Sequence, residues 1–452
     1  MGGQHNILAH QTIITFLYNH ELLGSGMDVN VSFNGSSIKL SFLLEQDDGR
    51  YNEKISMANP SMTVNVNRID SVEEIHPDHL ALGIILASNP FVGTELNIPL
   101  AVSQPFRDAA KTITKYKINF LQTSSKPYVP SKSARPGLSF SGGADSTAAL
   151  LLMPENTLSV FMDRPIDRSK SMYNKSAAYA TIQHANELGY EMLRLGCDLE
   201  YMRDPIGFPT DLAPAIPLIF VASKYNVDSI AFGTVLESAY RVGHEHARDY
   251  ESSGHYKVWG SLFRAAGLPL YLPVAGISEV GTSKIVLSSS FKDYTRSCIR
   301  GNFPESCENC WKCFRKNLVE KRLLNVTIQH DEMKRWLTVR EVKRKLSAWP
   351  ISHENVLSWS LKGDNTIGEI ATDLLDRTEG AIRNLTFLER WFHPSIQLIP
   401  SKYQLETEGK ISNYMERMRD FELVQITNHT MTKWLTSEQA TKARKNFNRH
   451  LL

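Results

Sequence analysis

Long apolar runs are missing from this chain. The longest one in its N-terminal part, Leu80 to Ala87, is far too short to span a bilayer. Excess charge is missing too: 50 Lys and Arg face 48 Asp and Glu, a formal balance of +2. No bulk electrostatic signal therefore demands nucleic acid or an acidic membrane. Met1 to Asn6 lacks a charged start followed by an apolar core, so no secretory signal is expected. Asn6 also makes a poor myristoylation site, and the expected location is cytoplasmic. No repeat or low-complexity tract is present. Cysteine is scarce, with five in 452 residues, and four of them fall between Cys298 and Cys313. That crowding excludes a disulfide framework and suits a metal.

What is present begins with Phe140-Ser-Gly-Gly-Ala-Asp-Ser-Thr147, which follows a β-prone run, Gly137 to Phe140, and enters a helix-prone one, Ser146 to Met153. A strand, a glycine turn and a helix start make an anion site, because the glycines bring backbone close to a phosphate while unpaired N–H groups and the helix dipole favour negative charge. Ser141, Ser146 and Thr147 add hydroxyls. Asp145 beside a phosphate requires a cation between them, so it is read as part of a Mg²⁺ site. No Gly-Lys-Ser/Thr follows the glycines, which excludes the Walker loop.

Three regions are expected. Residues 1–128 read as an α+β domain. Met27 to Phe33 and Ile38 to Phe42 alternate around Asn34-Gly35 as a hairpin, and Met62 to Val66 is a further strand. A helix over Leu80 to Ala87 follows His76-Pro77-Asp78-His79, which is a cap region rather than a metal site. Glu95 to Val102 reads as an edge strand because of Pro99. Ser124 to Pro136 is the linker. Residues 129–325 alternate strands (Leu158 to Met162, Glu191 to Leu195, Ser229 to Phe232) with helices (Ser171 to Leu188, Leu212 to Tyr225). That pattern predicts an α/β fold with a doubly wound parallel sheet, whose ligands bind at strand carboxyl ends. The loop at 141–147, Asp163-Arg164 and Gly233-Thr234 would then share one rim. Residues 326–452 read as helical: Trp336, Val339, Val342 and Leu346 on one face, Ile367, Ile370, Leu374 and Leu375 on another, and a third helix holding Ile382 to Phe392. The basic runs Arg340 to Lys345 and Lys442 to Arg449 are solvated faces on this reading.

The cysteines are spaced Cys298-x8-Cys307-x2-Cys310-x2-Cys313. Four thiolates so placed close a tetrahedral Zn²⁺ site with no open position, hence a structural one. An iron–sulfur cluster or free thiols remain alternatives, although the Cys-Pro ending of ferredoxin runs is absent. Cys197 stands alone and reads as a buried, inert thiol.

The Ser-Gly-Gly-x-Asp-Ser loop resembles that of the ATP pyrophosphatase (PP-loop) superfamily, with its Rossmann-like HUP fold. With the cysteine quartet downstream, residues 135 to 320 resemble the 7-cyano-7-deazaguanine synthase (QueC) family. Arg164 and Gly233 fall where that family has Arg after its second strand and Gly at a later strand end. Two segments depart from it: Gly207 to Asp211 and Glu237 to Gly243 stand where the family's base and acceptor pocket is lined. The outer regions exceed a housekeeping synthase and resemble the larger QueC-like proteins of bacterial anti-phage systems, of the Qat or type IV CBASS type.

The resemblance implies ATP, Mg²⁺ and Zn²⁺ as cofactors and an AMP-forming ligase. A carboxylate, that of 7-carboxy-7-deazaguanine, attacks the α-phosphorus of ATP, pyrophosphate leaves, and an amine then displaces AMP. Ser141, Gly142, Gly143, Ser146, Thr147 and Gly233 would form the nucleotide site, Asp145 would position Mg²⁺, and Arg164 and Arg296 would clamp phosphate or carboxylate charge or else be surface ion pairs. The acceptor implied is the N-terminal amine of a partner protein from the same defence system, and a homodimer is compatible. The rivals are a free nitrile synthase using ammonia, a tRNA-modifying PP-loop enzyme, and a non-catalytic nucleotide-binding scaffold.

Overall fold

The computed structural model describes residues 26–66, 69–167, 172–362 and 368–451. The expectations placed on Met1 to Asn6, Ser171 and Ile367 lie outside the described residues.

In chain order the first elements are β1 (Met27–Phe33), β2 (Ser37–Leu43), β3 (Arg50–Asn52), β4 (Ile55–Met57), β5 (Ser61–Asn65), α1 (Pro77–Ser88), β6 (Glu95–Ser103), α2 (Gln104–Ala110) and β7 (Lys117–Ser125). Then come β8 (Arg135–Phe140), α3 (Ala144–Leu152), β9 (Leu158–Asp163), α4 (Ser176–Glu187), β10 (Glu191–Gly196), β11 (Arg203–Asp204), α5 (Ile216–Val221) and β12 (Val227–Ala231). The remainder is α6 (Leu236–Ala239), α7 (Gly254–Ala265), β13 (Leu270–Tyr271), α8 (Glu279–Leu287), α9 (Trp311–Leu323), α10 (His330–Thr338), α11 (Arg340–Ser347), α12 (Glu354–Leu361), α13 (Glu369–Asp376), α14 (Ser401–Ser412), α15 (Asp420–Thr427), α16 (Thr432–Leu435) and α17 (Glu438–Asn448).

These elements form two compact units. The first holds the chain up to Tyr128 with Asp163–Pro165 and Leu195–Tyr225; the second holds Val129–Met162, Ile166–Arg194 and the chain from Asn226 onward.

In the first unit the strands order as β5-β2-β1-β6-β7. The β1–β2 hairpin turns at Asn34, whose Oδ1 accepts from Ser37 N at 2.9 Å, and at Gly35, whose φ of +80° needs no Cβ. Strand β6 is interior rather than an edge. Pro99 is tolerated there because the pairing with β7 shifts register between Ile98 and Ala101, and β1 pairs only with Leu96 and Asn97. His76 caps α1, its Nδ1 accepting from Asp78 N at 3.2 Å. His79 is fully buried, with Nδ1 3.1 Å from Ser223 Oγ.

In the second unit the order is β10-β9-β8-β12-β13, and β8 runs parallel to both β9 and β12. The chain winds from β8 out to β10, then returns to the other side of β8. The switch point therefore lies between β8 and β12, where open α/β sheets bind ligands. One core joins Leu138 and Phe140 of β8, Ala148 of α3 and Phe161 of β9 to Trp391, Tyr403 and Ile411. The end of the chain thus completes the sheet's own core, and residues 326–452 share its compact unit.

Two helical expectations need correction. The face carrying Trp336, Val339, Val342 and Leu346 belongs to two short helices, α10 and α11, broken at Val339, whose ψ is 113°. Residues 382–392 form no α-helix. Their buried Leu385, Phe387, Leu388, Trp391 and Phe392 sit on a 3-10 turn and irregular chain, and Ile382 is exposed. Apolar spacing is satisfied there with i→i+3 bonds at Leu388 and Arg390 and no α-helix. Among the described residues, no helix is long and apolar enough to cross a membrane.

Candidate functional site

Strand β8 delivers the glycine loop to the switch point. Gly142 has φ +77°, and a Cβ there would lie 2.8 Å from Ala178 Cα. Position 142 is thus closed to side chains both by conformation and by space. Ser146 Oγ holds the turn shut: it accepts from Ser141 N at 3.2 Å, lies 3.0 Å from Ser141 Oγ and donates to Gly143 O at 3.1 Å. Thr147 is buried, 3.4 Å from Thr295 Oγ1. The hydroxyls of Ser146 and Thr147 therefore shape the loop from within, with Gly143 as the cap of α3 and Ala144 N donating to Ser297 Oγ at 3.3 Å.

Gly233, just after β12, touches that first turn. A Cβ at 233 would stand 2.7 Å from Ser146 N and 2.8 Å from Asp145 C. Both atoms are backbone, so neither can swing aside. Gly233→Ala should displace the α3 N-terminus and weaken binding of any phosphate ligand on it by about tenfold or more, as expected when a positioned group moves by a few tenths of an ångström to one ångström. Titration of pyrophosphate into the variant checks this.

A cavity of about 330 Å³ opens beside the loop at Ala144. Its cationic lining is Lys292, Arg296, Lys312 and Lys316, against Glu308 and Glu320. The volume falls at the lower end of small-ligand sites. Behind it lies a buried charge network. Asp145 Oδ1 accepts from Thr282 Oγ1 at 2.7 Å and stands 3.5 Å from Lys316 Nζ. Glu279 is gripped from both sides: Arg315 donates through its Nη2 to Oε1 at 3.0 Å and through Nε to Oε2 at 3.2 Å, and Lys316 Nζ lies 3.2 Å from Oε1. Burial alone would push Glu279 up, but the Lys316 and Arg315 charges outweigh it and hold the carboxyl well below the usual range. Glu237 Oε2 accepts from Glu279 N at 3.0 Å. Burial, then the Glu279 charge, pushes Glu237 up to about 8. Glu237, Tyr240 and Val242 are buried and Gly243 is pressed against Asn355, while Ser238 and Arg241 of the same segment are exposed.

The four cysteines form a cluster that could bind a metal such as zinc. Their sulfurs all lie within 4.8 Å of one another, with Cys307 and Cys313 at 3.7 Å. Tetrahedral Zn–S bonds of about 2.3 Å demand an S···S separation of roughly 3.8 Å. Backbone N–H groups already point at the sulfurs: Arg300, Gly301 and Cys307 donate to Cys298 Sγ, Asn309 to Cys307 and Cys313 to Cys310. The Cys310 and Cys313 thiols, with the backbone N–H of Cys307 and Arg300, pull Cys298 toward thiolate. Glu308 takes φ +45° to make the tight turn, and Cys310 caps α9. Cys197 is buried with its thiol pushed up to about 12 by desolvation, in keeping with an inert sulfur.

The two arginines expected as clamps or surface ion pairs both have partners within the protein. Arg296 donates to the carbonyls of Pro304, Thr295 and Lys292 at 2.8, 2.9 and 3.2 Å, so it braces the chain leading into the cysteines while lining the cavity. Arg164 lies in the first unit, paired with Glu200 at 2.6 Å and stacked on Phe208. It is a partly buried ion pair there, and the loop at 141–147 belongs to the second unit.

A family model described as "Family of unknown function (DUF6395)" matches residues 258–430. No curated protein and no solved structure matches. The matched stretch contains α8, all four cysteines and α9, and begins beyond the glycine loop.

Sequence reasoning missed Thr282, Glu279, Lys312, Arg315 and Lys316. The signal for the last three was available: Lys312 and Lys316 stand four apart on the helix that Cys310 caps, so they project to one side. Thr282 and Glu279 open an unremarkable helix, α8, and nothing in their spacing marks them.

Proposed function

We propose that the second unit is a PP-loop domain that activates a carboxylate with ATP, releasing pyrophosphate and then AMP. The observation that carries this reading is the glycine loop at the switch point with a cation-lined cavity beside its helix start. The carboxylate oxygen attacks the α-phosphorus, the bond to the bridging oxygen breaks, and pyrophosphate departs. Loop backbone from Ser141 to Gly143 and the first turn of α3 would hold the leaving group, with Lys312 and Lys316 meeting its charge. Asp145, whose side chain is 30 % exposed, would hold Mg²⁺, which when bound neutralises phosphate charge. Zn²⁺ at the four cysteines would fix α9 and with it both lysines. The resemblance supplies the substrate: 7-carboxy-7-deazaguanine, transferred to the N-terminal amine of a partner protein in anti-phage defence.

The test is one incubation with Mg-ATP, 7-carboxy-7-deazaguanine and ammonium, with and without proteins encoded beside it, read by mass spectrometry. AMP together with a deazaguanine-sized addition to a neighbour protein is expected. AMP with free nitrile would make it a nitrile synthase. No AMP under any condition would overturn the reading. Asp145→Ala should lower AMP formation by about 100-fold or more while keeping the metal at the cysteines; undiminished AMP would remove Asp145 from the reaction.

A further inference from the structure

Asp145 is already neutralised from inside the protein. Lys316 is 5 % exposed, and its ammonium lies 3.5 Å from Asp145 Oδ1, 3.2 Å from Glu279 Oε1 and 3.2 Å from Ser283 Oγ. Glu279 keeps a cation of its own if Lys316 turns away, because Arg315 engages both oxygens of that carboxylate. Lys316 thus divides its charge between two carboxylates within 4 Å, Glu279 and Asp145, with Glu320 also within electrostatic reach, and Asp145 is the one of the close pair that has no arginine on it. Lys316 also lines the cavity, so the same ammonium has a route to a ligand by rotation of its own side chain. A divalent ion on Asp145 would place two further positive charges within about 5 Å of that ammonium, a repulsion of several kcal/mol even at the effective dielectric of protein sites. The two cations exclude one another.

We propose that Lys316 is a mobile counter-cation of Asp145. It holds the carboxylate while the loop is empty. It yields the carboxylate to a divalent cation when a phosphate ligand arrives, and its ammonium then turns to the phosphate oxygens. Metal entry is thereby made conditional on phosphate. This inference rests on the reading of the loop as a phosphate site.

The test uses the full chain with zinc bound. Mn²⁺ binding is followed by electron paramagnetic resonance, and pyrophosphate binding by calorimetry. An opposite charge within about 4–6 Å shifts a carboxylate's cation affinity by one to three orders of magnitude. Lys316→Gln should accordingly raise Mn²⁺ affinity without ligand by about tenfold or more while weakening pyrophosphate binding, and Lys316→Arg should keep wild-type Mn²⁺ affinity. A merely structural lysine would give the opposite sign or no change, and either result overturns the proposal. Asp145→Asn provides a second reading independent of how Lys316→Gln folds: freeing Lys316 should strengthen metal-free pyrophosphate binding, and weaker binding would overturn the proposal. If no protein binds pyrophosphate or ATP, the phosphate-site reading fails; a rise in Mn²⁺ affinity in Lys316→Gln would still establish the competition at Asp145.

Discussion

With Zn²⁺ at the four cysteines as proposed, Cys310→Ser should release it and lower the melting temperature of the second unit by roughly 10 °C or more. Three remaining thiolates do not close a structural tetrahedral site. Structural Zn²⁺ contributes about 10–16 kcal/mol in small zinc-binding peptides, as much as the whole stability of a typical domain, about 5–15 kcal/mol. The substitution also removes the sulfur that accepts from Cys313 N at the head of α9. What depends on that head is extensive. Cys298, Cys310 and Cys313 belong to one buried cluster with Phe314, Leu318, Trp336, Val342, Leu346 and Leu374. Phe314 packs edge-on to Trp336 with ring centroids 5.6 Å apart. Loosening the knuckle exposes this core from one end and sets Lys312 and Lys316 adrift from the cavity. Metal content by mass spectrometry and thermal melting by circular dichroism check the expectation. A metal-free Cys310→Ser protein melting with the wild type would show that the knuckle stands by packing alone.

The sequence disclosed most where chemistry forces local spacing. Cys298 to Cys313 and the glycine loop are such places: four sulfurs gathered within 4.8 Å and a turn at φ +77° each require particular residues at particular offsets. The β1–β2 hairpin was legible for the same reason, since Asn34-Gly35 suits a turn that few other pairs make. Strand β6 was misjudged because Pro99 forbids a ladder bond only locally, and a register shift at Ile98 and Ala101 removes the conflict. The 382–392 segment was misjudged because burial, of Trp391 in the sheet's core and of Phe392 against Tyr240, rather than helix formation, set its apolar pattern. In the site, Thr282 and Glu279 were invisible: they reach Asp145 and Arg315 across 137 and 36 residues of chain, and no local rule marks such pairings. The place of Arg164 after a strand leaves a clamp and an ion pair both open, and only the fold shows Glu200 beside it.

Glu237→Gln should stabilise the second unit at pH 8 by about 3–4 kcal/mol and leave it nearly unchanged at pH 5. Glu237 has its folded value raised to about 8 from an ordinary 4.5, first by burial and then by the Glu279 charge. A raised carboxyl binds its proton more tightly folded than unfolded. Its favourable contribution is thus complete below about 4.5, declines by about 1.4 kcal/mol per pH unit as pH rises, and is gone above about 8. Glu279 behaves oppositely. Its carboxyl is held below the usual range, so its contribution is present above 4.5 and is lost as pH falls. Together the pair predicts greatest stability in the mildly acidic range. Gln at 237 keeps an oxygen for the Glu279 N–H and removes the titration, so the stability curve should flatten toward pH 8. Arg315→Met is the matching control: it leaves Glu279 buried with only Lys316, and should cost about 3–5 kcal/mol. Lys316 would then be drawn to Glu279 and away from Asp145, so this variant should also bind Mn²⁺ more tightly without ligand. Denaturant unfolding of wild type and Glu237→Gln at pH 5 and pH 8 decides the matter. Parallel stability losses in the two proteins would mean that Glu237 is ionised in the folded state. The cluster would then hold three carboxylates, Glu237, Glu279 and Asp145, against Arg315, Lys312 and Lys316, and Lys316 would not be free to leave Asp145.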